Sequence, residues 1–310
     1  MYGPTAVGKS DFAEKLAAVV PSEIINMDVG QLYAPLSIGT AKPNWQASPI
    51  PHHLFDVLDS PVNYTVTQYR DRVITLCNEI WSRGKVPILV GGSGFYLKSL
   101  FFPIAGPHTY QAYQIDNSSD LWQQLYAIDP QRASAINPSD EFRIKRALTI
   151  WASTGVKPSE FVAQYCPPSN FHLFFLTRDR QELYDRINQR VHLMMKDGFL
   201  AEVQQLMNTP WEDFLKKKKL IGYNELIDFL LGLRTDQALQ DAVTLIQQRT
   251  RHYAKRQLTF WRMLSAQLNK AIENEQSKGI TRPVVESLNL TLLDVDLYIK
   301  HLSKQLINAQ

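Results

Sequence analysis

Gly3, Gly8, Lys9 and Ser10 complete the pattern G-x-x-x-x-G-K-[ST], written out as Gly3-Pro4-Thr5-Ala6-Val7-Gly8-Lys9-Ser10. Glycines at that spacing let backbone N–H groups turn inward onto phosphate oxygens, and the N-terminus of a following helix adds a favourable dipole. Lys9 brings a point charge to the terminal phosphate, and the Ser10 hydroxyl is a ligand for a magnesium ion. Such a loop grips a diphosphate but does not say whether a nucleotide or another ester carries it. Asp28 is the second chemical signal. It closes the apolar, β-branched run 23–27, which places a carboxylate at the C-terminal end of a buried strand, where open α/β sheets keep their reacting groups. Two roles are open to it: a general base, or the metal-holding aspartate of a nucleotide hydrolase.

Other reactive side chains promise less. His52 and His53 are adjacent, so they point in different directions, and no third ligand is near; structural roles are expected. Cys77 falls on an apolar helical stripe and is expected to be core. Cys77 and Cys166 are the only two cysteines and have no metal-ligand spacing, which suits a reducing cytosol.

Alternating strands and helices position these groups. A helix with Phe12, Leu16 and Val19 or Val20 on its apolar face follows the loop, Pro21 stops it, and the 23–27 strand comes next. Thr65 is the expected N-cap of a helix carrying Tyr69, Val73, Leu76, Cys77, Ile80 and Trp81, with Gly84 as its stop. The run 86–90 reads as another buried strand, leading into Gly91-Gly92-Ser93-Gly94 and a helix over about 95–102. This order predicts a parallel sheet with flanking helices. Residues 1–105 read as the first part of this core and 106–168 as an all-helical insertion. Residues 169–310 continue the core, with a strand at 171–176, a helix ending at Gly198, a long basic helix from 235 or 236 to about 264, and a peripheral last 40 residues. Only Met1 and Tyr2 precede the loop where a strand should lead in. The first core strand is therefore expected to be missing, through a misassigned start or a truncated copy.

The chain has 310 residues, 45% hydrophobic and 20% charged, with a net charge of +3. That is globular composition without a membrane-length apolar run or a cleavable leader, and a cytoplasmic protein is expected. Lys216–Lys219 and the acid-free stretch 247–262, with Arg249, Arg251, Lys255, Arg256 and Arg262, give the local basic density of a polyanion binder.

Six blocks in order resemble the bacterial tRNA dimethylallyltransferase (tRNA isopentenyltransferase) family. They are the loop running on to Asp28-Val29-Gly30-Gln31-Leu32-Tyr33, then Ile38-Gly39-Thr40-Ala41-Lys42-Pro43, Pro51-His52-His53-Leu54-Phe55-Asp56, Leu89 to Leu97, Ile221-Gly222-Tyr223, and Lys255 to Arg262. The resemblance spans roughly 3–262. It implies a P-loop NTPase-like fold, magnesium, dimethylallyl diphosphate as donor, and N6 of adenosine-37 in the tRNA anticodon stem-loop as acceptor. Within it Asp28 takes the N6 proton, while Lys9, Ser10 and the loop 3–10 hold the departing diphosphate. The flipped-out base and its neighbours are met by Asp28, Val29, Gly30, Gln31, Ser93, Arg143, Arg146, Lys219, Lys255, Arg256, Gln257 and Arg262. Arg143 and Arg146 could equally be a solvated helix face, and part of the Leu258–Trp261 stripe could be core.

Three departures stand out. The family's Asp-Ser-x-Gln reads Asp28-Val29-Gly30-Gln31 here. Lys219 replaces an arginine frequent before Gly-Tyr, losing bidentate contacts. The usual Trp-Phe order is Phe260-Trp261. A monomer is expected. The alternatives are an adenylate prenyltransferase acting on free nucleotide, a small-molecule P-loop kinase, and an inactive RNA-binding remnant.

Overall fold

The computed structural model describes residues 1–103, 120–161, 163–276 and 283–308. The expected insertion segment 106–119 and residue 162 lie outside them. The chain separates into two compact units, one of 1–98 with 168–310 and one of 99–167.

The first unit begins with the glycine loop and α1 (Lys9–Ala17), then β1 (Ser22–Asn26), β2 (His52–His53), α2 (Val66–Ser82), β3 (Val86–Val90) and α3 (Gly94–Phe101), which runs past residue 98. The second unit holds α4 (Leu121–Ile128), α5 (Pro130–Ser134) and α6 (Glu141–Thr154). The first unit resumes with β4 (His172–Thr177), α7 (Arg180–Lys196), α8 (Phe199–Leu206), α9 (Pro210–Lys218), α10 (Tyr223–Leu231), α11 (Asp236–Gln276), β5 (Val284–Asn289) and α12 (Val295–Asn308).

Several elements form for the local reasons that the sequence advertises. Thr65 caps α2 as half of a capping box, its hydroxyl accepting from Gln68 N while Gln68 Oε1 accepts from Thr65 N at 2.9 Å. Gly84, at φ 67°, follows the end of that helix. β1 is buried at every position, including its polar residues Ser22, Glu23 and Asn26. Cys77 is core.

All strand pairings are parallel, in the orders β2-β1-β3 and β4-β5. Tyr2 joins the two sets by parallel bridges to Gly91 after β3 and to Phe175 in β4. Its N–H donates to Phe174 O at 2.9 Å, and its carbonyl accepts from Leu176 N at 2.9 Å. The lane expected to lack a strand is thus occupied by Met1 and Tyr2, whose backbone groups pair on both sides.

The last 40 residues are not peripheral. β5 pairs with β4 along its whole length, and α12 packs on α1, with Tyr298 6.3 Å from Phe12 and Lys15 paired to Asp296 at 2.7 Å. Glu286 and Ser287 hide this strand in the sequence, since an edge strand keeps polar side chains that a central one lacks. α11 also extends twelve residues beyond the expected end near 264, and α8 to α10 had no counterpart in the sequence reading.

The second unit has its own small core of Leu125, Ala133, Ile136, Ile144, Ala147 and Leu148. Asp129 is buried within it and caps α5, accepting from Arg132 N at 2.9 Å and Ser159 N at 2.8 Å. No strand occurs among its described residues.

Candidate active site

Cations hold the carbonyls of the glycine loop. Lys9 Nζ donates to Gly3 O at 3.1 Å and Pro4 O at 2.8 Å. Arg186 Nε donates to Ala6 O at 2.9 Å, and Arg178 Nε to Val7 O at 2.8 Å. Gly8, at φ 105°, makes the left-handed turn into α1, whose N-terminus has no side-chain cap. An uncapped helix end following such a loop, with Lys9 beside it, is an anion seat.

Asp28 stands two residues beyond β1, fixed by its neighbours. Asn26 is buried; its Oδ1 accepts from Asp28 N at 2.8 Å and its amide donates to Asp28 O at 2.9 Å. The Asp28 carboxylate accepts from Gly30 N at 3.2 Å, closing a tight turn. Val29 N donates to Ser93 Oγ at 3.0 Å, which ties the Asp28 turn to the glycine turn after β3. Gln31 donates to Thr40 O at 3.1 Å and Ala41 O at 3.2 Å, and all three line a cavity with Asp28.

The electrostatics oppose burial to pairing. Burial raises the Asp28 carboxyl above its ordinary value, and Lys9 and the Gly30 amide partly offset this. Burial pushes Lys9 down to about 8, with Asp28 resisting and Arg190 assisting. Arg190 is likewise lowered by burial and by Arg186.

Two neighbouring cavities share these groups. The smaller, about 80 Å³, is lined by Gly8, Lys9, Ser10, Asp11, Asp28 and Arg190, among others. The larger, about 300 Å³, shares Thr5, Ala6, Asp28, Thr40, Ala41 and Arg190 with it and continues between apolar walls of Ile187, Val191, Met194, Phe199 and Ile246. An anion seat, an acid and an apolar chamber therefore adjoin. A clamp holds one wall: Glu202 accepts from the backbone of Ser37 (3.1 Å), Ile38 (2.7 Å) and Gly39 (3.1 Å) and from the Tyr223 hydroxyl (2.6 Å).

The expected RNA-facing residues divide. Val29, Lys255, Arg256 and Arg262 are exposed, and Arg256 also lines the large cavity, where it lies 5.7 Å from the Tyr253 ring. Lys219 is exposed in a left-handed conformation (φ 49°) and lines the same cavity with Lys218. Arg143 and Arg146 lie exposed on α6 of the second unit, Arg143 paired to Asp140 at 3.3 Å. Gln257 requires a correction. It is buried, with Oε1 accepting from Thr5 N at 2.8 Å and Nε2 donating to Gly92 O at 2.9 Å, so its amide braces two loops and does not face outward. Trp261 is core, stacked on Phe175 at 4.5 Å. His53 meets buried Glu23 at 2.7 Å and His52 meets Glu14 at 3.1 Å, both structural contacts.

Sequence reasoning missed Arg178, Arg186, Arg190, Tyr253 and Glu202. A signal existed for two of them: Arg186 and Arg190 sit four apart, each directly before a residue of the Ile187–Val191 apolar stripe, so they flank a buried face.

A family model described as IPP transferase matches residues 31–264. The chain belongs to the IPP transferase family. A tRNA dimethylallyltransferase of Lacticaseibacillus casei is 43% identical over 274 residues, covering 84% of this chain and 87% of that one. The tRNA dimethylallyltransferase of Bacillus subtilis is 38% identical over 275 residues, with 84% and 86% covered. The crystal structure of the full-length tRNA isopentenylpyrophosphate transferase of Bacillus halodurans aligns over 99% of this chain and 94% of its own, with TM-score 0.66 and 30% identity. A eukaryotic dimethylallyltransferase acting on tRNA aligns over 100% of this chain and 79% of its own, with TM-score 0.78 and 25% identity. This IPP transferase family member is an α/β protein of P-loop type, and its phosphate loop and Asp28 turn are the elements that the fold brings together.

Proposed function

We propose that the protein transfers a dimethylallyl group from dimethylallyl diphosphate to N6 of adenosine-37 in the tRNA anticodon stem-loop. The observation that carries this reading is the convergence of Lys9 and Asp28 on cavities that open into an apolar chamber. A kinase site needs the anion seat but has little use for a chamber walled by Ile187, Val191, Met194, Phe199 and Ile246 beside the acid. Family membership and the names of the relatives support the same conclusion.

The adenine amine is a weak nucleophile because its lone pair is delocalised into the ring. Asp28, held by Asn26 and Gly30, accepts an N6 proton as the bond from N6 to the allylic carbon forms and the carbon–oxygen bond breaks. Lys9, Arg190 and the uncapped N-terminus of α1 take up the charge that develops on the departing diphosphate. The raised pKa of Asp28 makes it a stronger base than an exposed carboxylate.

The residues fit a magnesium ion. The Ser10 hydroxyl is exposed and lines the small cavity together with Asp11 and Asp28, a hard-oxygen set that leaves room for phosphate oxygens and water. Bound there, magnesium would neutralise charge on the diphosphate.

Exposed Val29, Arg256, Lys219, Lys255 and Arg262, together with the Gly30, Gln31 and Ser93 turn, are the RNA-facing set in this reading, and Arg143 and Arg146 on α6 extend it. The protein works as a cytoplasmic monomer without a membrane partner; no helix among the described residues is long and apolar enough to cross a membrane. Filter binding of an unmodified anticodon stem-loop tests the acceptor. Retention of the stem-loop with no prenylation of free AMP is expected; turnover of AMP without stem-loop retention would overturn the reading in favour of a free-nucleotide prenyltransferase.

A further inference from the structure

Isolated apolar side chains on a surface need no explanation, but Phe95 is not isolated. It is 66% exposed and lies 5.3 Å from the ring of Phe260, inclined at 57°. Phe260 in turn rests on Gly94, where a Cβ would meet its ring at 2.5 Å. Gly94 therefore allows the Phe260 ring to lie directly over the turn that carries Ser93, with the Phe95 ring inclined against it. On α11, Arg256, Phe260 and Met263 follow at i, i+4 and i+7 and so share one face, Met263 being 50% exposed.

This face begins at the reaction chamber. Arg256 lines the large cavity, Gln257 fastens the helix to Gly92 O at 2.9 Å, and Ser93 is bonded to the Asp28 turn. Arg256 is the exposed cation that shares the Phe260 face, and the stretch 247–262 contains no acid. An exposed ring and a half-buried one beside a cation suit a strand that offers phosphates and base faces together, and they do not suit an apolar protein partner.

We propose that Phe95 and Phe260 form a stacking platform for an unpaired base beside the adenosine delivered to Asp28. The proposal rests on the tRNA reading above and adds a role for residues which that reading leaves unused. The platform holds the flanking nucleotide while its neighbour is turned into the chamber, so that part of the unstacking cost is repaid at Phe95.

The test uses an unmodified anticodon stem-loop carrying 2-aminopurine at the nucleotide next to the target, with the full-length protein and Phe95→Ala, Phe95→Leu and Phe95→Trp variants. The platform predicts that Phe95→Ala raises KM for the stem-loop about 5- to 100-fold, leaves KM for dimethylallyl diphosphate unchanged and abolishes the quenching of 2-aminopurine seen with wild type. Phe95→Trp restores both readouts and Phe95→Leu restores neither. An unchanged stem-loop KM in Phe95→Ala, or full rescue by leucine, would overturn the platform alone. No stem-loop binding by the wild type would overturn both the platform and the tRNA reading. Since Phe95 is exposed, unchanged thermal unfolding of the variants is expected and separates lost stacking from lost folding.

Discussion

The Gln257 side chain accepts a hydrogen bond from the backbone N–H of Thr5 at 2.8 Å, so the long basic helix α11 sets one peptide plane of the phosphate loop. Its other end reaches Gly92 O. Replacing it with alanine removes the partner of Thr5 N and leaves Gly92 O only the longer contact from the Tyr253 hydroxyl at 3.5 Å, at a cost of about 1–3 kcal/mol. Gln257→Ala is expected to lower the unfolding temperature and to raise KM for dimethylallyl diphosphate more than KM for tRNA. The opposite ordering would return Gln257 to the RNA-facing set. Melting curves and steady-state kinetics on one preparation decide it.

Arg178 and Arg186 hold the Val7 and Ala6 carbonyls, which fixes two peptide planes of the phosphate loop. Arg186→Met is predicted to weaken diphosphate binding about 10-fold, on the scale of one lost charge-assisted hydrogen bond, with tRNA affinity unaltered. Isothermal titration with inorganic pyrophosphate measures this directly. Pyrophosphate affinity equal to wild type would show that the loop keeps its shape unaided.

The pH profile of kcat/KM should fall at both ends. Asp28 acts ionised and burial raises its pKa, so activity is lost as pH falls through that raised value. Lys9 acts protonated and is pushed down to about 8, so activity also declines as pH rises through about 8. Bound diphosphate favours the charged lysine, and the alkaline limb of kcat should therefore lie higher than that of kcat/KM. A flat kcat/KM from pH 7 to 10 would contradict the assignment of Lys9.

Glu23 is buried with Arg83 at 2.8 Å, His53 at 2.7 Å and Lys85 at 3.0 Å. The hydrogen bond from Arg83 does most to hold its carboxyl down at about 2, against the penalty of burial. A depressed folded pKa means stability that is present above the unfolded value of a glutamate, about 4.3, and lost as pH falls toward 2. Glu23→Gln should flatten the acid limb of the stability curve while leaving kcat at neutral pH intact. Acid unfolding of both proteins, followed by circular dichroism, tests this.

What the sequence revealed depended on how local each cause was. The loop 3–10, the Thr65–Gln68 box and the fully buried β1 declare themselves within a few residues, and each lies where expected. β5 was illegible because Glu286 and Ser287 break its apolar run, and its strand character comes from pairing with β4 across more than a hundred residues. Arg178, Arg186 and Arg190 drew no reading from the sequence; only the tertiary approach of the segment 178–190 to the loop turns them into carbonyl caps and a charge beside Asp28. Gln257 misled for the converse reason, a polar residue in a basic run whose partners are both far away in sequence.

The most direct test of the central claim is mass analysis of the nucleosides released from unmodified tRNA after incubation with the protein, magnesium and dimethylallyl diphosphate. One added dimethylallyl group on adenosine is expected with the wild type and with His52→Ala, and none with Asp28→Ala. Unmodified adenosine in every sample, or full modification by Asp28→Ala, would contradict a mechanism in which that carboxylate takes the N6 proton.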